Sequence, residues 1–545
     1  MEKPSLEIGN GNWAIKENSL LGHTTVDGMI LPDPVTVTRA SLATRVNPSG
    51  LIENVELPGS NIWDGANGDT TGWTPFGNNT FAPEDGALKI TYVDNTAGVY
   101  IYLRDSNQLS TDLTIGKTYK INFDSKVESG QVEWKVQVSG GNAYLAPKIN
   151  STNYVNVTLY IVASNANGHY FFPLQYDSAA SVFIKNIKVQ EVTIDGLAKI
   201  DYTDGTASLL AEPQRTNLVQ YSEDFTTRIN LWQTFGNATK TLNAATSPDG
   251  SNTAALIAGL NGAGDNDFRY AFPYNTANKT LTYSVYLKGS GTLRLQISNG
   301  VDQAHNEDIT LTSEWKRHNI TGTFNSTAVS LVYLVIDDLL GKTATEYYVW
   351  GAQFEEGAYP TSYIKTQGGT ITRAQDVITK TGISDKINSE EGVLLVETAF
   401  LNDTGNYTSV TLSDGTTANR ITFENRPVAN QIKVFIVVSG TNVMQSTQTL
   451  TDVKAFNKMA IKWKQNDFAW WVNGVKIHTD TSGNTFSANT LNRLGFDRGD
   501  GFTQLESKVK QLQVYKTALT DLELESLTSF ASFTEMANTL NYTIY

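Results

Sequence analysis

Alternation constrains this chain more than any other feature. "KTYKINFDSKV" puts Tyr119, Ile121 and Phe123 on one face of an extended segment and polar residues on the other. "GQVEWKVQVSGG" does the same with Val132, Trp134, Val136 and Val138. Successive side chains of a strand point to opposite faces, so a period of two with one apolar side marks an antiparallel sheet packed on a core. The pattern returns in "YVNVTLYIVAS", "SVFIKNIKVQEV", "SLVYLVIDD" and "EYYVWGAQFEEG". Runs of helix-forming residues are confined to the C-terminal end, so the chain reads as all-β. Its 545 residues exceed one domain of about 100–200 residues.

The repeats divide the chain. Residues 1–55 are polar, punctuated by Gly and Pro and short of core material; they read as a docking or oligomerisation segment. Residues 56–195 form a first β-sandwich and 219–372 a second with the same layout. In the second, "LTYSVYLKGSGTLRLQIS" is a hairpin with Leu281, Tyr283, Val285 and Leu287 facing Leu293, Leu295 and Ile297. Each sandwich opens on a tryptophan, Trp73 or Trp232. The number and length of strands suit jelly rolls. Residues 196–218 read as a connecting seam, in which Pro213 interrupts ladder pairing and Arg215 and Asn217 offer bridging donors. Residues 373–387 read as a linker, 388–530 as a third sandwich and 531–545 as a tail. In the third, Asn473-Gly474 between alternating strands signals a tight hairpin. Thr520 and Glu523 have capping-box spacing and predict a short helix.

Composition excludes several roles. Net charge is −14 with no Lys/Arg-rich block, so nucleic acid is not an expected partner. There is no cysteine, hence no disulfide and no Cys-ligated metal. The N-terminus has no basic stretch followed by an apolar one, so no signal peptide is expected. The apolar runs are of strand length, and no membrane insertion is expected.

Three blocks resemble recurring segments of structural proteins of tailed bacteriophages: "VTVTRASLATRVNPSGLIE" (35–53), "KIDYTDGTASLLAEPQRTNLVQYSEDF" (199–225) and "YYVWGAQFEEGAYPTSYI" (347–364). Those are fibre and appendage proteins of head or tail with jelly-roll, carbohydrate-binding-module-like domains. The third sandwich resembles the concanavalin A-like, laminin G-like lectin fold through "WVNG" and "LGFDRGDG". The resemblance implies a homotrimer on the virion surface, docked on another virion protein through its N-terminal segment and attaching to a host-surface glycan. Two alternatives are an adaptor or decoration protein without sugar binding, and a polysaccharide depolymerase. In relatives the first two blocks lie close together in sequence. Here residues 54–198 separate them, as if the first jelly roll were inserted into a connecting module.

Candidate chemistry follows from residue type. Exposed aromatic rings stack on the apolar faces of sugars while polar neighbours bond the hydroxyls. Phe468, Trp470 and Val472 share the core face by period two; Trp471 points to the other side, where a ligand could bind or another surface could pack. The sugar-binding candidates are therefore Trp471, Asn473, Asp497, Arg498 and Trp232. No cofactor is required, but a structural Ca²⁺ fits two Asp/Gly loops, one with Asp265 and Asp267 and one with Asp497 and Asp500. A turn in which Arg498 pairs with the acids is the competing reading of the second loop. The histidines at 23, 169, 305, 318 and 478 are scattered singly and read as ordinary surface or core residues. A glycosidase needs two carboxylates across a sugar site. The one alternating string of acids, Asp521, Glu523 and Glu525, falls in the predicted helix, so no catalytic residue is expected.

Overall fold

A computed structural model describes residues 3–9, 14–16, 19–21, 23–26, 29–32, 35–75, 79–92, 101–104, 108–138, 143–146, 148–166, 168–175, 181–225, 231–264, 266–301, 304–325, 331–339, 341–404 and 406–529. The predicted tail, 531–545, lies outside them. The fold is all-β: two jelly rolls, one larger concanavalin A-like sandwich and a short C-terminal helix. Among the described residues no helix is long and apolar enough to cross a membrane. The chain forms two compact units, each discontinuous in sequence: 56–194 with 216–372, and 1–55 with 195–215 and 373–545.

The first of these units holds the jelly rolls. From Trp73, one sheet of the first jelly roll runs Trp73–Pro75, Ile101–Arg104, His169–Gln175, Val132–Val138, Ala143–Leu145; the other runs Thr80–Glu84, Ala87–Thr91, Ser181–Thr193, Thr118–Val127, Val155–Val162. From Trp232, the second jelly roll has Trp232–Phe235, Asp267–Phe272, Val332–Asp337, Thr292–Ser298, Ala304–Thr310 facing Thr239–Ala245, Ala254–Ala258, Glu346–Glu356, Thr280–Gly289, Lys316–Thr323. Numbered along the chain, both have the strand orders 1-4-9-6-7 and 2-3-10-5-8. Both also break register between the fifth and tenth strands, at Asn122/Asp124 and at Ser284/Tyr286. They are two copies of one topology. The alternating residues meet between the sheets: Trp134 stacks on Phe171 at 4.8 Å and meets Phe123 edge-on at 5.2 Å. Its indole N–H reaches Ser125 Oγ at 2.9 Å, so the buried donor is satisfied.

In the other unit a seven-stranded sheet runs from Thr441–Thr449 through Arg493–Gly495 and Val377–Thr381 to Thr36–Thr38. The facing sheet is built around Glu391–Phe400 and Ser507–Tyr515. The N-terminal segment is not short of core: Leu6–Gly9 pairs with Ser507–Tyr515, and Leu6, Ile8, Val35 and Val37 are buried in this sandwich. The stretch 373–387 is not a free linker either. Val377–Thr381 pairs on both sides, with Thr36–Thr38 and with Arg493–Gly495, and Ile378, Ile383 and Ile387 join the core.

The chain leaves this unit after Val55 and returns at Asp195, and the two blocks separated in sequence pack together. The Val46 amide donates to Asp201 Oδ1 at 3.0 Å and the Tyr202 amide to the Val46 carbonyl at 3.0 Å. Beside them lies a cluster of buried charges. Arg39 Nη1 is 2.9 Å and Lys199 Nζ 2.8 Å from the Asp376 carboxylate, while Lys199 and Arg373 both pair with Glu212. Burial pulls the Lys199 ammonium below the usual lysine range, against the attraction of Asp376 and Glu212.

Candidate functional site on the jelly-roll sheets

The sequence-predicted site residues do not come together. Trp471 is 5 % exposed. It does lie on the face opposite Phe468, Trp470 and Val472, which are in the main core. That face, however, is covered by the helix Asp521–Thr528: Trp471 packs with Leu519, Leu524 and Leu527. It is the centre of a second small core rather than a sugar platform. Asn473 and Gly474 form the two-residue hairpin turn with φ of 47° and 81°. The Asn473 side chain accepts from the Lys458 amide and donates to Asn457 Oδ1, so it holds the turn. Trp232 is 1 % exposed. It stacks on Phe268 at 4.9 Å and donates to the Tyr221 carbonyl.

The loop acids are likewise engaged. Asp497 is fully buried, pairs with Arg493 and accepts from the Gly499 amide at 2.6 Å. Arg498 is 2.7 Å from Asp500, and this partner holds the Asp500 carboxyl below its usual range. The arginine-paired turn is the structure found, and a cation would have to displace both guanidinium groups. Asp265 lies outside the described residues. Asp267 pairs with Arg269. The adjoining loop is organised by buried Asp338, whose carboxylate accepts from the amides of Asn261, Gly262 and Asn266. Inward-pointing N–H groups suit an anion, whereas Ca²⁺ requires oxygen ligands. Among the described residues no three His, Asp or Glu side chains are grouped to hold a metal. Glu523 completes the capping box with Thr520, which accounts for the string of acids at the helix start.

What the fold does assemble is a polar-aromatic face on the second jelly roll. The sheet that begins at Trp232 turns Phe268, Tyr270, Leu334, Ile336, Leu293 and Leu295 inward. The alternate residues therefore face outward. Their register aligns them in two rows across five strands. One row is Gln233, Arg269, Val335, Gln296, Asn306; the next is Phe235, Asp267, Asp337, Arg294, Asp308. Phe235 is exposed, and the Arg269 guanidinium lies over its ring at 3.8 Å. Asp267 fixes that guanidinium through Nε at 2.7 Å. Gln296 Nε2 donates to Asn306 Oδ1 at 2.6 Å, and Asp308 receives Arg294 at 3.2 Å and Lys342 at 2.6 Å. Burial pushes the Asp337 carboxyl up, opposed by the Leu339 amide and Arg294. The face thus carries one exposed ring, planar amide and guanidinium groups, and both donors and acceptors in fixed positions. Such a surface can stack on a sugar's C–H face and bond its hydroxyls.

The corresponding face of the first jelly roll is more aromatic. With Leu103, Phe171 and Val136 inward, the alternate residues Tyr102, Tyr170, Phe172, Lys135 and Gln137 share the outer side. Tyr102 and Tyr170 meet edge-on at 5.5 Å, and the Lys135 ammonium is 5.5 Å from the Phe172 ring. Burial lowers the Lys135 pKa, with Glu133 acting against it. In sequence a polar alternate face reads as solvated; the signal within each strand is the period-two pair, Gln233 with Phe235, Asp267 with Arg269 and Arg294 with Gln296.

No family model matches the chain, and no curated protein matches it. Among solved structures it is similar to the N-terminal CBM22-1-CBM22-2 tandem domain from Paenibacillus barcinonensis Xyn10C, at 14 % identity over 55 % of this chain and 98 % of that one, with a TM-score of 0.21. A CBM4 structure matches at 20 % identity over 23 % of this chain and 86 % of its own, with a TM-score of 0.19. The enzymatically active domain of bacteriophage CBA120 tailspike protein 4 matches at 9 % identity over 25 % and 21 %, with a TM-score of 0.21.

Proposed function

We propose that this chain is a glycan-binding fibre protein of a tailed phage, attaching the virion to a host-surface polysaccharide. The observation that carries the glycan-binding part is the outer face of the second jelly roll, where Phe235, Arg269, Gln296 and Asn306 combine an exposed ring with ordered hydroxyl-bonding groups. The fibre assignment rests on the three sequence blocks around 35–53, 199–225 and 347–364. Contacts of this kind are individually weak, and display in several copies, as in a homotrimer, converts them into firm attachment. The N-terminal residues would serve docking only in addition to their role in the sandwich core.

The test is a glycan array probed with the full chain and with Phe235→Ala and Gln296→Ala. Phe235 and Gln296 lie on the solvent side of the sheet, so neither change opens the core. Losing one stacked ring is worth about 0.5–1.5 kcal/mol, hence roughly two- to tenfold in affinity. A chain that binds glycans equally well with both substitutions would refute the assignment of this face.

A further inference from the structure

A second site is open in the unit that holds the jelly rolls. Where 148–158 of the first meets 243–253 of the second lies a groove of about 490 Å³, within the range of small-molecule sites, roughly 300–1,000 Å³. The junction is stitched by Asn243, whose Nδ2 donates to the Lys148 carbonyl at 3.3 Å and to Asn150 Oδ1 at 3.1 Å. Asn243 has φ of 53°, a left-handed conformation that asparagine tolerates better than most residues.

The groove carries anchored polar groups of both kinds. Asp249 accepts from Ser247 Oγ at 2.7 Å, the Ser251 amide at 3.0 Å and Ser251 Oγ at 2.7 Å, all on Oδ1. Its second oxygen is the one left to accept from a ligand. Lys365 sits 2.8 Å from Glu223 Oε2, and 31 % of its side chain is accessible. Burial opposes its charge, yet Glu223 and Asp249 outweigh burial and raise its pKa, so it stays a donor. The Tyr154 hydroxyl, shielded from solvent, has no hydrogen-bond partner. A buried hydroxyl left unpaired carries a desolvation cost that a ligand group would remove. The amides of Asn156 and Asn252 also line the groove.

From this arrangement we infer a second glycan site, taking a short neutral oligosaccharide that touches both jelly rolls at once. Fixed carboxylate, ammonium, phenol and amide groups answer sugar hydroxyls, which both donate and accept. Charges of both signs line the groove, Asp249 on one side and Lys148 and Lys365 on the other, so an ion of either sign meets a like charge, whereas a neutral sugar's hydroxyls can answer both. The inference rests on the glycan-binding reading above but concerns a different surface.

The test is calorimetric titration of the full chain with neutral gluco-, xylo-, galacto- and N-acetylglucosaminyl tetrasaccharides, and with a hexuronic acid tetrasaccharide as the charged control. Two classes of site are expected. Asn252→Trp, which fills the groove from an exposed position, should abolish one class. Tyr154→Phe should weaken the same class about three- to tenfold without lowering thermal stability, since it deletes an unpartnered hydroxyl. Phe235→Ala should act on the other class alone. Binding on the outer face that is indifferent to Asn252→Trp would overturn the groove and leave the face intact. Tighter binding of the uronic acid chain in the groove would overturn its neutral specificity. A chain that binds no tetrasaccharide anywhere overturns both readings.

Discussion

His318 makes the second jelly roll acid-sensitive, and the size of the effect can be worked out. It lies in Lys316–Thr323 opposite Val285, on the inward face, and is 7 % exposed. Its Nε2 is shielded without a hydrogen-bond partner. Burial lowers its pKa from 6.5 to about 4, and Lys316 adds to the effect. Between these values the unfolded chain binds more protons than the folded one, so stability rises with pH across that window. The cost is absent above pH 6.5 and complete below pH 4. A drop from 6.5 to about 4, at about 1.36 kcal/mol per pH unit, comes to about 3 kcal/mol. Amide hydrogen exchange of Lys316–Thr323, which reports this domain's own opening within a multi-domain chain, measures it. His318→Leu removes the titrating group and keeps an apolar side chain on the core face. Relative to the wild type, the variant should gain about 3 kcal/mol between pH 7 and pH 4. A difference that stays constant over that range would refute a buried neutral imidazole.

Other outcomes follow from the buried charges and the corrected sites. Glu212→Gln leaves Lys199 and Arg373 without their shared carboxylate and should cost about 3–5 kcal/mol, read by urea unfolding; a loss under 1 kcal/mol would mean the cluster relaxes onto water. Trp471→Ala should destabilise the large sandwich by about 3–5 kcal/mol while leaving glycan binding by the folded protein unchanged; selective loss of binding with full stability would restore it as a platform. Adding millimolar Ca²⁺ or EDTA should leave the melting temperature unchanged, because Asp497 and Asp500 already hold arginines; a calcium-dependent rise would show a metal site after all.

Period two made much of this fold legible. It separates Trp470 from Trp471 correctly, and local chemistry marks the Asn473-Gly474 turn and the Thr520–Glu523 cap, because each depends on neighbours within a few residues. What covers a face is not local. Trp471 lies under a helix that begins at Asp521, and nothing near Trp471 announces it. Leu6 and Ile8 read as coreless because their partners are Val514 and Leu512, at the far end of the chain. Arg373 and Lys199 read as ordinary surface charges in the sequence, yet they make buried pairs with Glu212, a residue far from Arg373 along the chain. The outer face of the second jelly roll was hidden for a related reason. Gln296 and Asn306, or Arg294 and Asp308, become neighbours only through strand register, which alternation alone does not specify.

The most direct test of the outer face as a sugar site is a crystal structure of the full chain soaked with a tetrasaccharide that it binds in solution. Sugar is expected on the outer face of the second jelly roll, one ring against Phe235 and hydroxyls bonded to Gln296, Asn306 or Arg269. Saturating sugar that leaves this face bare would contradict it.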